Sequence, residues 1–509
     1  MSHVQGKNRS QTKIFNLDEA VDKEHIVRII DAFVDILDLK EMGFLRVVAT
    51  GPGRPPYHPA HLLKLYLYGY TQGIRSSRRL ETLARESLPI MWLLDELRPD
   101  FKTIADFRKD NIGPITAVFD EYNSFLDSAG LFGKKVVAID GTKIKASNNK
   151  KTNYSKKKIK ARIEYNSARV KEYLDALDEA DSEASYDKAE QALGDALSKV
   201  GKYEGYLAQL DATGQNEISE VDPDARLMGN NKNGVDVAYN IQTAVDDENH
   251  LVAAYDVSQN PTDHDQLFNM MQKTQDTLRR KDIVGLADKG YYNAEELGRC
   301  EEADMRTVVS RQKGPGDKDR DRCYRGDRFL YDPDKDIYTC PLGNILTTKS
   351  APGAKQRGYS NKAACHACPE KKRCLTKKTR FRTIRRNTNS DIYDRADKLF
   401  EENAGLYKTR QQVVEHVYGT VKRSMDGNYF LLRTKEKVRC EASLMFLGYN
   451  IKRSISALGF DMLMEKLEEY AAIIRDHGVK EAAFLASSLF CPSGILRMLL
   501  PKRQQVNLT

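Results

Sequence analysis

The sequence predicts an α/β core preceded by an all-helical domain, and three observations point there. Up to residue 132 the apolar residues recur at helical spacing. From Lys135 to Ser310 short apolar runs alternate with helix-like stretches, as strands and helices do in a layered α/β fold. Two of those runs close on an aspartate: Asp140 follows Val136-Val137-Ala138-Ile139, and Asp288 follows Ile283-Val284-Gly285-Leu286-Ala287. A carboxylate closing a buried strand points out of the end of the sheet, where α/β folds place their sites.

The helical domain is expected over residues 1–132. An apolar-periodic segment runs from Ile26 to Leu39, and Gly51-Pro52-Gly53-Arg54-Pro55-Pro56 reads as a loop. Helical patterns follow at His58–Thr71, at Ser76–Arg85 with Ser76 and Ser77 as N-cap candidates, at Ile104–Asn111 and at Phe119–Ala129. Arg75, Arg78, Arg79 and Arg85, with Tyr66, Tyr68 and Tyr70 nearby, could dock such short helices on DNA in helix-turn-helix style; plain helical packing is the alternative.

The core is expected over residues 133–460. Its first strand is Lys135–Asp140. A long polar segment, 142–233, then interrupts it, and Ile163, Val170, Leu174, Leu177, Leu193, Leu197 and Val200 fall at helical spacing within an otherwise charged sequence. That pattern predicts a helical hairpin or coiled-coil arm. Val235–Ala244 and Leu251–Val257 read as a strand hairpin around the turn residues Asp246-Asp247-Glu248-Asn249. A helix capped by Asp263 reaches Arg279, a strand spans Ile283–Asp288, a helix capped by Asn293 reaches Ala303, and a strand spans Met305–Ser310. Residues 311–400 break the alternation: they are basic, turn-rich and hold most of the cysteines. The last core helix carries Glu415, and residues 461–509 read as a helical tail. With the two insertions removed, this is the element order of the ribonuclease-H-like fold, which holds acidic residues on its first strand, its fourth strand and a later helix. Asp140, Asp288 and Glu415 fall on those three elements.

Composition bounds the partners. The 509 residues imply roughly two to four domains. No apolar run reaches the roughly 18 residues of a membrane span. The start, Met1-Ser2-His3-Val4-Gln5-Gly6-Lys7-Asn8-Arg9, lacks an apolar signal core, so a cytoplasmic, nucleoid-associated protein is expected. In that compartment the eight cysteines are reduced thiols or metal ligands rather than disulfides. Charge is segregated. From Arg311 to Arg386, 21 Lys and Arg stand against 8 Asp and Glu, whereas from Lys171 to Asp222 the numbers are 4 against 14. A further basic run, Lys143 to Arg162, includes Lys150, Lys151, Lys156, Lys157, Lys158 and Lys160. Two long positive runs beside a carboxylate site suggest a polyanion such as nucleic acid; a solvated surface is the alternative.

Three carboxylates converging from two strands and a helix repel one another unless cations lie between them. Taken singly, Asp140 before Gly141-Thr142 and Asp288 before Lys289-Gly290-Tyr291 could merely form turns. Glu415 lies among Val413, Val414 and Val417, which suggests a partly buried helix, and a buried glutamate needs a partner or a metal. Glu415, Tyr418 and Lys422 are spaced to share a helix face. Together these segments carry a specific resemblance. Val137-Ala138-Ile139-Asp140-Gly141-Thr142-Lys143-Ile144, Leu286-Ala287-Asp288-Lys289-Gly290-Tyr291, and Tyr407-Lys408-Thr409-Arg410 through Glu415 to Lys422 resemble the DDE transposases of bacterial insertion sequences. The last segment is similar to the tyrosine–arginine–glutamate–lysine signature of one branch. Tyr57-His58-Pro59 to Tyr70 and Phe101-Lys102-Thr103-Ile104-Ala105-Asp106-Phe107-Arg108 resemble the helical domain before its core. The arginine-to-glutamate spacing is one residue longer than that signature, and the insertion after Asp140 has no counterpart in it.

The resemblance implies that Asp140, Asp288 and Glu415 hold two Mg²⁺ or Mn²⁺ ions, which suit oxygen-only ligands. It implies metal-dependent cleavage of transposon ends and strand transfer into target DNA, with Lys422, Arg410 and Tyr407 contacting DNA beside Arg75, Arg78 and Arg79. The expected partners are double-stranded DNA, as terminal inverted repeats and as target, and a second copy of the chain in a synaptic homodimer. A catalytically inactive DNA-binding derivative, or a nuclease of the same fold without strand transfer, remains the rival. No G-x-x-x-x-G-K phosphate loop occurs, so no nucleotide cofactor is expected.

Cys365-His366-Ala367-Cys368 forms a C-x-x-C knuckle, Cys374 follows six residues later, and Cys340-Pro341 lies upstream. Thiolates at these spacings suit a structural Zn²⁺ site, with Cys323 and His366 as alternative ligands and a loop of unpaired thiols as the plain reading. Cys300, Cys440 and Cys491 read as buried thiols, and His264 beside Asp263 and Asp265 as a helix-start residue.

Overall fold

The computed structural model describes residues 16–49, 55–180, 182–230, 234–311, 321–351, 354–376 and 379–489, with side chains as far as residue 476 except at 230, 322 and 327. The chain is a mixed α/β protein with a helical N-terminal region. It divides into two compact units, Met1–Phe132 with Ser443–Thr509, and Gly133–Ala442.

The first unit contains α1 (Leu17–Ala20), α2 (Ile26–Ile36), α3 (Pro59–Thr71), α4 (Ser77–Glu86), α5 (Leu88–Leu93), α6 (Phe101–Asp110) and α7 (Ile112–Ser128). It also takes in the later part of helix Lys435–Leu458 and helix Phe460–Leu489. Pro59 presets the first turn of α3, and the Asp100 carboxylate caps α6 by accepting from Lys102 N and Thr103 N, each at 2.9 Å. Ser76 stands at the N-cap of α4, but its side chain makes no capping bond. The buried face of α2 (Val27, Ile29, Ile30, Phe33, Val34) meets Tyr122 of α7, whose hydroxyl lies 2.7 Å from Ser454 Oγ.

The aromatic and basic residues expected to face DNA divide here. Tyr66 and Tyr70 are core residues: the Tyr66 hydroxyl donates to the Ile104 carbonyl at 2.9 Å, and Arg108 donates to the Tyr70 hydroxyl at 3.2 Å. Arg75, expected to contact DNA, is 3% exposed. Arg78 and Arg79 are exposed, Arg78 lying over the Phe101 ring at 4.5 Å.

The second unit is built on β1 (Val136–Lys145), with β2 (Asn153–Ser155), β3 (Glu217–Ser219), β4 (Arg226–Asn230), β5 (Gly234–Asp246), β6 (Val252–Ser258), β7 (Val284–Ala287) and β8 (Arg306–Val309). Across the sheet the order is β4-β5-β1-β7-β8, with β6 also on β5. Ala238 pairs with Lys145 on one edge and with Arg226 on the other, so β4 lies on the side of β5 away from β1. β1 runs antiparallel to β5 and parallel to β7, and β7 runs parallel to β8. The apolar run Val136–Ile139 is buried, as the interior strand of a covered sheet must be.

Between β1 and β4 the long polar segment forms the expected helical hairpin, α8 (Lys156–Asp178) and α9 (Glu183–Thr213), closed at its base by the β2–β3 pair. Its apolar contacts are few and lie near the base, around Tyr154, Ile159, Tyr203 and Leu210. α10 (Leu267–Leu278) covers the sheet with Met270, Met271, Thr274 and Leu278 buried. A Cβ on Gly285 would strike Met271 Sδ, so the glycine lets this helix settle on β7. α11 (Ala294–Glu302) joins β7 to β8 and is capped by Asn293, as expected.

After β8 a second sheet, β9 (Leu330–Asp332), β10 (Ile337–Thr339), β11 (Ile345–Thr348), β12 (Gln356–Ser360) and β13 (Thr383–Asn387), runs antiparallel throughout, with α12 (Lys362–Ala367) and α13 (Lys371–Cys374) between its last two strands. Its core is five residues: Phe329, Tyr338, Leu346, Tyr359 and Ile384. α14 (Ser390–Glu402) returns to the first sheet, packing against β8 and α11, and α15 (Ala404–Tyr407) leads into α16 (Arg410–Gly419). α16 lies on β1 and β5 and runs into a π turn, Thr420–Ser424.

Candidate active site

β1 and β7 set two carboxylates side by side. The parallel register pairs Ile139 with Ala287, so Asp140 and Asp288 occupy the next rung. There β7 stops, and the Asp288 carboxylate turns back to accept from Gly290 N at 2.6 Å. β1 does not stop. It continues to Lys145 against β5, with Asp140 opposite Thr243. Asp140 is therefore the fifth residue of a ten-residue strand, not its end. It is open because its neighbour β7 is short.

The carboxylate that sequence reasoning missed is Asp263. It is not the cap of α10, whose N-cap residue is Gln266. Its Oδ1 accepts from Asn240 Nδ2 and Gln242 Nε2, each at 2.7 Å. Gln242 is fully buried, and its Oε1 accepts from the hydroxyl of Tyr291, also fully buried. Two glycines make room. A Cβ on Gly141 would fall on Asp263 Oδ1 and 2.5 Å from Gln242 Nε2. A Cβ on Gly290 would lie 2.8 Å from Asp288 Oδ1 and 3.4 Å from Asp263 Oδ2. Asp263 thus lies against Gly141 and Gly290, near enough to the two strand-borne aspartates for its charge to act on Asp140. The signal available in sequence was the pair Asn240 and Gln242, amides two residues apart on one face of an otherwise apolar strand.

α16 brings the remaining residues. Val413, Val414 and Val417 are buried against the sheet. The Tyr418 hydroxyl donates to the Asp140 carbonyl at 2.7 Å and lies 2.8 Å from Thr243 Oγ1, which fixes the β1 backbone at Asp140. Arg410 Nη1 is 3.7 Å from Asp140 Oδ1 and has no hydrogen-bond partner among the described residues, although the side chain is only 13% exposed. Lys422 belongs to the π turn, and its ammonium donates to Thr142 Oγ1 at 2.5 Å and to the Lys143 carbonyl at 3.3 Å. Such turns recur at functional sites. Here it rotates Lys422 relative to a plain helical continuation.

Glu415 departs from expectation. The helix is partly buried, but Glu415 itself is exposed, with its carboxylate accepting from Gln411 Nε2 at 2.8 Å. The valines at 413, 414 and 417 take the buried stripe, which leaves 411 and 415 on the solvent side. Tyr407 packs against the Phe400 ring at 4.9 Å and against the cluster of Val136, Leu286 and Val308.

Burial raises the proton affinity of Asp140, Arg410 opposes this, and Asp288 and Asp263 add to it; the carboxyl is pushed up to about 7. Burial likewise pushes the Tyr291 and Tyr418 phenols well up. Negative charge is thus crowded at Asp140, with Arg410 the cation beside it.

The cysteines of the second sheet sort as follows. Cys340, Cys365, Cys368 and Cys374 border one small cavity, whereas Cys323 and His366 are exposed and do not line it. Burial pushes the Cys374 thiol up, Arg382 opposes this, and Cys365, Cys368 and Cys340 reinforce it. Cys300 and Cys440 are buried thiols, as expected, and Cys491 lies outside the described residues. His264 offers its carbonyl to Asn293 Nδ2 at 3.2 Å. Among the described residues no three His, Cys, Asp or Glu side chains are gathered closely enough to hold a metal ion as they stand.

Comparison with known families now decides the kinship. Residues 15–110 match the Transposase domain (DUF772) model, and residues 339–455 match the Transposase DDE domain model. Both matches support a DDE transposase of insertion-sequence type. The DDE match contains Glu415 and Lys422 and the four cysteines, and stops short of Asp140 and Asp288. No curated protein matches the chain. Among the described residues no helix is long and apolar enough to cross a membrane.

The donor set fits the divalent ion expected of a DDE transposase. Asp140, Asp288 and Glu415 offer only carboxylate oxygens, the ligands of hard cations. Gly141 leaves room for Asp263, and Gly290 leaves room for Asp288 and Asp263. To join them, Glu415 must release Gln411 and turn its side chain toward β1.

Proposed function

We propose that this transposase cleaves the ends of its DNA element and joins them to target DNA at Asp140, Asp288 and Glu415 of a ribonuclease-H-like core. The observation that carries this reading is the rung formed by Asp140 and Asp288 where β7 stops and β1 continues. The sheet order supports it. Strand β5 runs antiparallel to both β6 and β1, β7 and β8 run parallel to β1, and the helix bearing Glu415 lies on β1. That is the arrangement expected of the fold.

In this reading Asp140, Asp288 and Glu415 hold two Mg²⁺ or Mn²⁺ ions. When bound, the ions activate an oxygen nucleophile and take up charge on the leaving oxygen. The chain's own residues do the rest. Tyr418 fixes the backbone at Asp140. Asn240 and Gln242 hold Asp263 beside the site, which makes Asp263 a positioning residue. Arg410 and Lys422 place positive charge beside the site for DNA phosphates. Double-stranded DNA is the partner, with Arg78 and Arg79 on the exposed side of α4 as further contacts, and two DNA ends call for a homodimer.

The test is an end-cleavage assay with the full chain, linear DNA carrying the inverted repeats that flank the gene, a target plasmid, and Mg²⁺ or Mn²⁺. The reading requires cleavage that leaves 3′-hydroxyl ends, then joining to the plasmid, both abolished by chelator. The exposed position of Glu415 favours one rival, a protein that binds DNA without cutting it. Binding with no cleavage under either ion would establish that rival. Cleavage without joining would leave a nuclease.

A further inference from the structure

The small antiparallel sheet carries a cluster of thiols that the DNA chemistry does not use. A cavity of about 30 Å³ is bordered by Cys340, Cys365, Cys368 and Cys374, with Phe329 and Arg382 among its other walls. The four cysteines arrive from three separate places. Cys340 opens a tight turn in which its N–H donates to the Asn344 carbonyl at 2.9 Å and Gly343 N donates to the Cys340 carbonyl at 2.8 Å. Gly343 there has φ of 80°, a conformation that favours glycine. The turn directs Asn344 N at 3.3 Å and Asn344 Nδ2 at 3.6 Å onto Cys340 Sγ. Two N–H donors thus point at one sulfur, the kind of outer-shell contact that orients a metal-bound thiolate. Cys365 lies in α12, Cys368 is the residue that ends it, and Cys374 closes α13.

Stability gives a reason for the cluster. The sheet has strands of three to five residues and a buried core of five side chains, with Cys340 and Cys374 packed against it. It sits in a segment with 21 basic residues against 8 acidic. So small a core in so repulsive a segment needs a staple. The seven cysteines of the described residues form no disulfide.

We propose that Cys340, Cys365, Cys368 and Cys374 bind one structural Zn²⁺ as a tetrahedral all-thiolate site. Each thiol releases its proton to solvent on binding, and the resulting doubly negative centre sits against Arg382 and the basic residues of α13. The sulfurs now border the cavity without converging on one point. Ligation therefore draws them in to Zn–S bonds of about 2.3 Å. Soft thiolate donors select zinc over the hard ions suited to the carboxylates, so this site is independent of the DNA chemistry.

The experiment is elemental analysis of the full chain purified without added metal, together with Co²⁺ reconstitution of the chain after zinc removal. The proposal expects about one zinc per chain, and a Co²⁺ spectrum with thiolate charge-transfer and strong tetrahedral bands. Cys365→Ser and Cys368→Ser should reduce zinc to background, while Cys323→Ser, at an exposed thiol outside the cavity, should retain it. If the cavity variants fail to fold, the Co²⁺ spectrum of the parent chain still decides. A folded parent chain with reduced thiols that holds no zinc and gives no tetrahedral Co²⁺ spectrum overturns the proposal, as does iron in place of zinc.

Discussion

Replacing Gly141 by Ala is the most informative single change at the site. Gly141 lies within a strand and its φ is not positive, so on backbone entropy alone alanine should stabilise by about 0.4–1 kcal/mol. The surroundings reverse the sign. The new methyl would fall on Asp263 Oδ1 and 2.5 Å from Gln242 Nε2. Ends of flexible side chains normally move aside, but these are pinned: Asp263 is held by Asn240 and Gln242, and Gln242 by Tyr291. Overpacking of this kind costs about 1–3 kcal/mol. Releasing the Asp263–Gln242 bond inside the sheet adds about 1–3 kcal/mol more. The net expectation is a loss of about 2 kcal/mol or more, with DNA cleavage falling because Asp263 is displaced from Asp140 and Asp288. Hydrogen exchange of β1 and β5 amides reads the first effect and the end-cleavage assay the second. Gly205→Ala, in the middle of α9 with nothing within 4 Å of the added carbon, is the matched control and should stabilise by about 0.5–1 kcal/mol. A Gly141→Ala chain with unchanged exchange and unchanged cleavage would refute the reasoning about Asp263.

Other outcomes follow from the same structure. Tyr418→Phe removes the hydroxyl that bridges Thr243 and the Asp140 carbonyl and should cost about 1–2 kcal/mol, with reduced cleavage, measured by denaturant titration and end cleavage. Arg75→Ala, at a buried side chain, should destabilise the chain by about 2 kcal/mol or more, whereas Arg79→Ala should stay within about 0.5 kcal/mol and weaken DNA binding; thermal unfolding and gel shifts separate the two. Burial raises the proton affinity of Asp256, but the Lys273 ion pair at 2.9 Å and hydrogen bonds from Val257 N and Asn269 outweigh it, so its folded-state value lies below the ordinary one. Its contribution to stability is therefore present above the unfolded value near 3.8 and lost as pH falls through the lower folded value. Asp256→Asn should flatten the stability curve in that acidic range, and an unchanged curve would contradict the pairing.

Much of the core was legible because its signals are local. Runs such as Val136–Ile139 and Gly285–Ala287 are buried on both faces and read as strands without context. The adjacency of Asp140 and Asp288 followed from placing those strands in one sheet. What was illegible depends on partners distant in sequence. Gly141-Thr142 looks like a turn, yet pairing with Gln242 and Ile241 keeps β1 extended to Lys145. Asp263 looks like a helix cap, and only the fold brings Asn240 and Gln242 to it. Arg75 resembles its exposed neighbours Arg78 and Arg79 in sequence, yet it alone of the three is buried. Glu415 is exposed on α16 although valines flank it, because valines on both sides of a residue do not say which face it takes. The π turn at Thr420–Ser424 has no composition signal. The strands of the cysteine-bearing sheet are too short for their alternation to stand out.

The measurement that tests the central claim most directly is end cleavage and gel shift, run in parallel on Asp140→Asn, Asp288→Asn and Glu415→Gln in the full chain with Mn²⁺. The account predicts that all three variants bind the terminal DNA as the parent chain does and that none cuts it. Cleavage by any one of them at the parent's rate would contradict the assignment of that residue, and cleavage by all three would place the chemistry elsewhere in the chain.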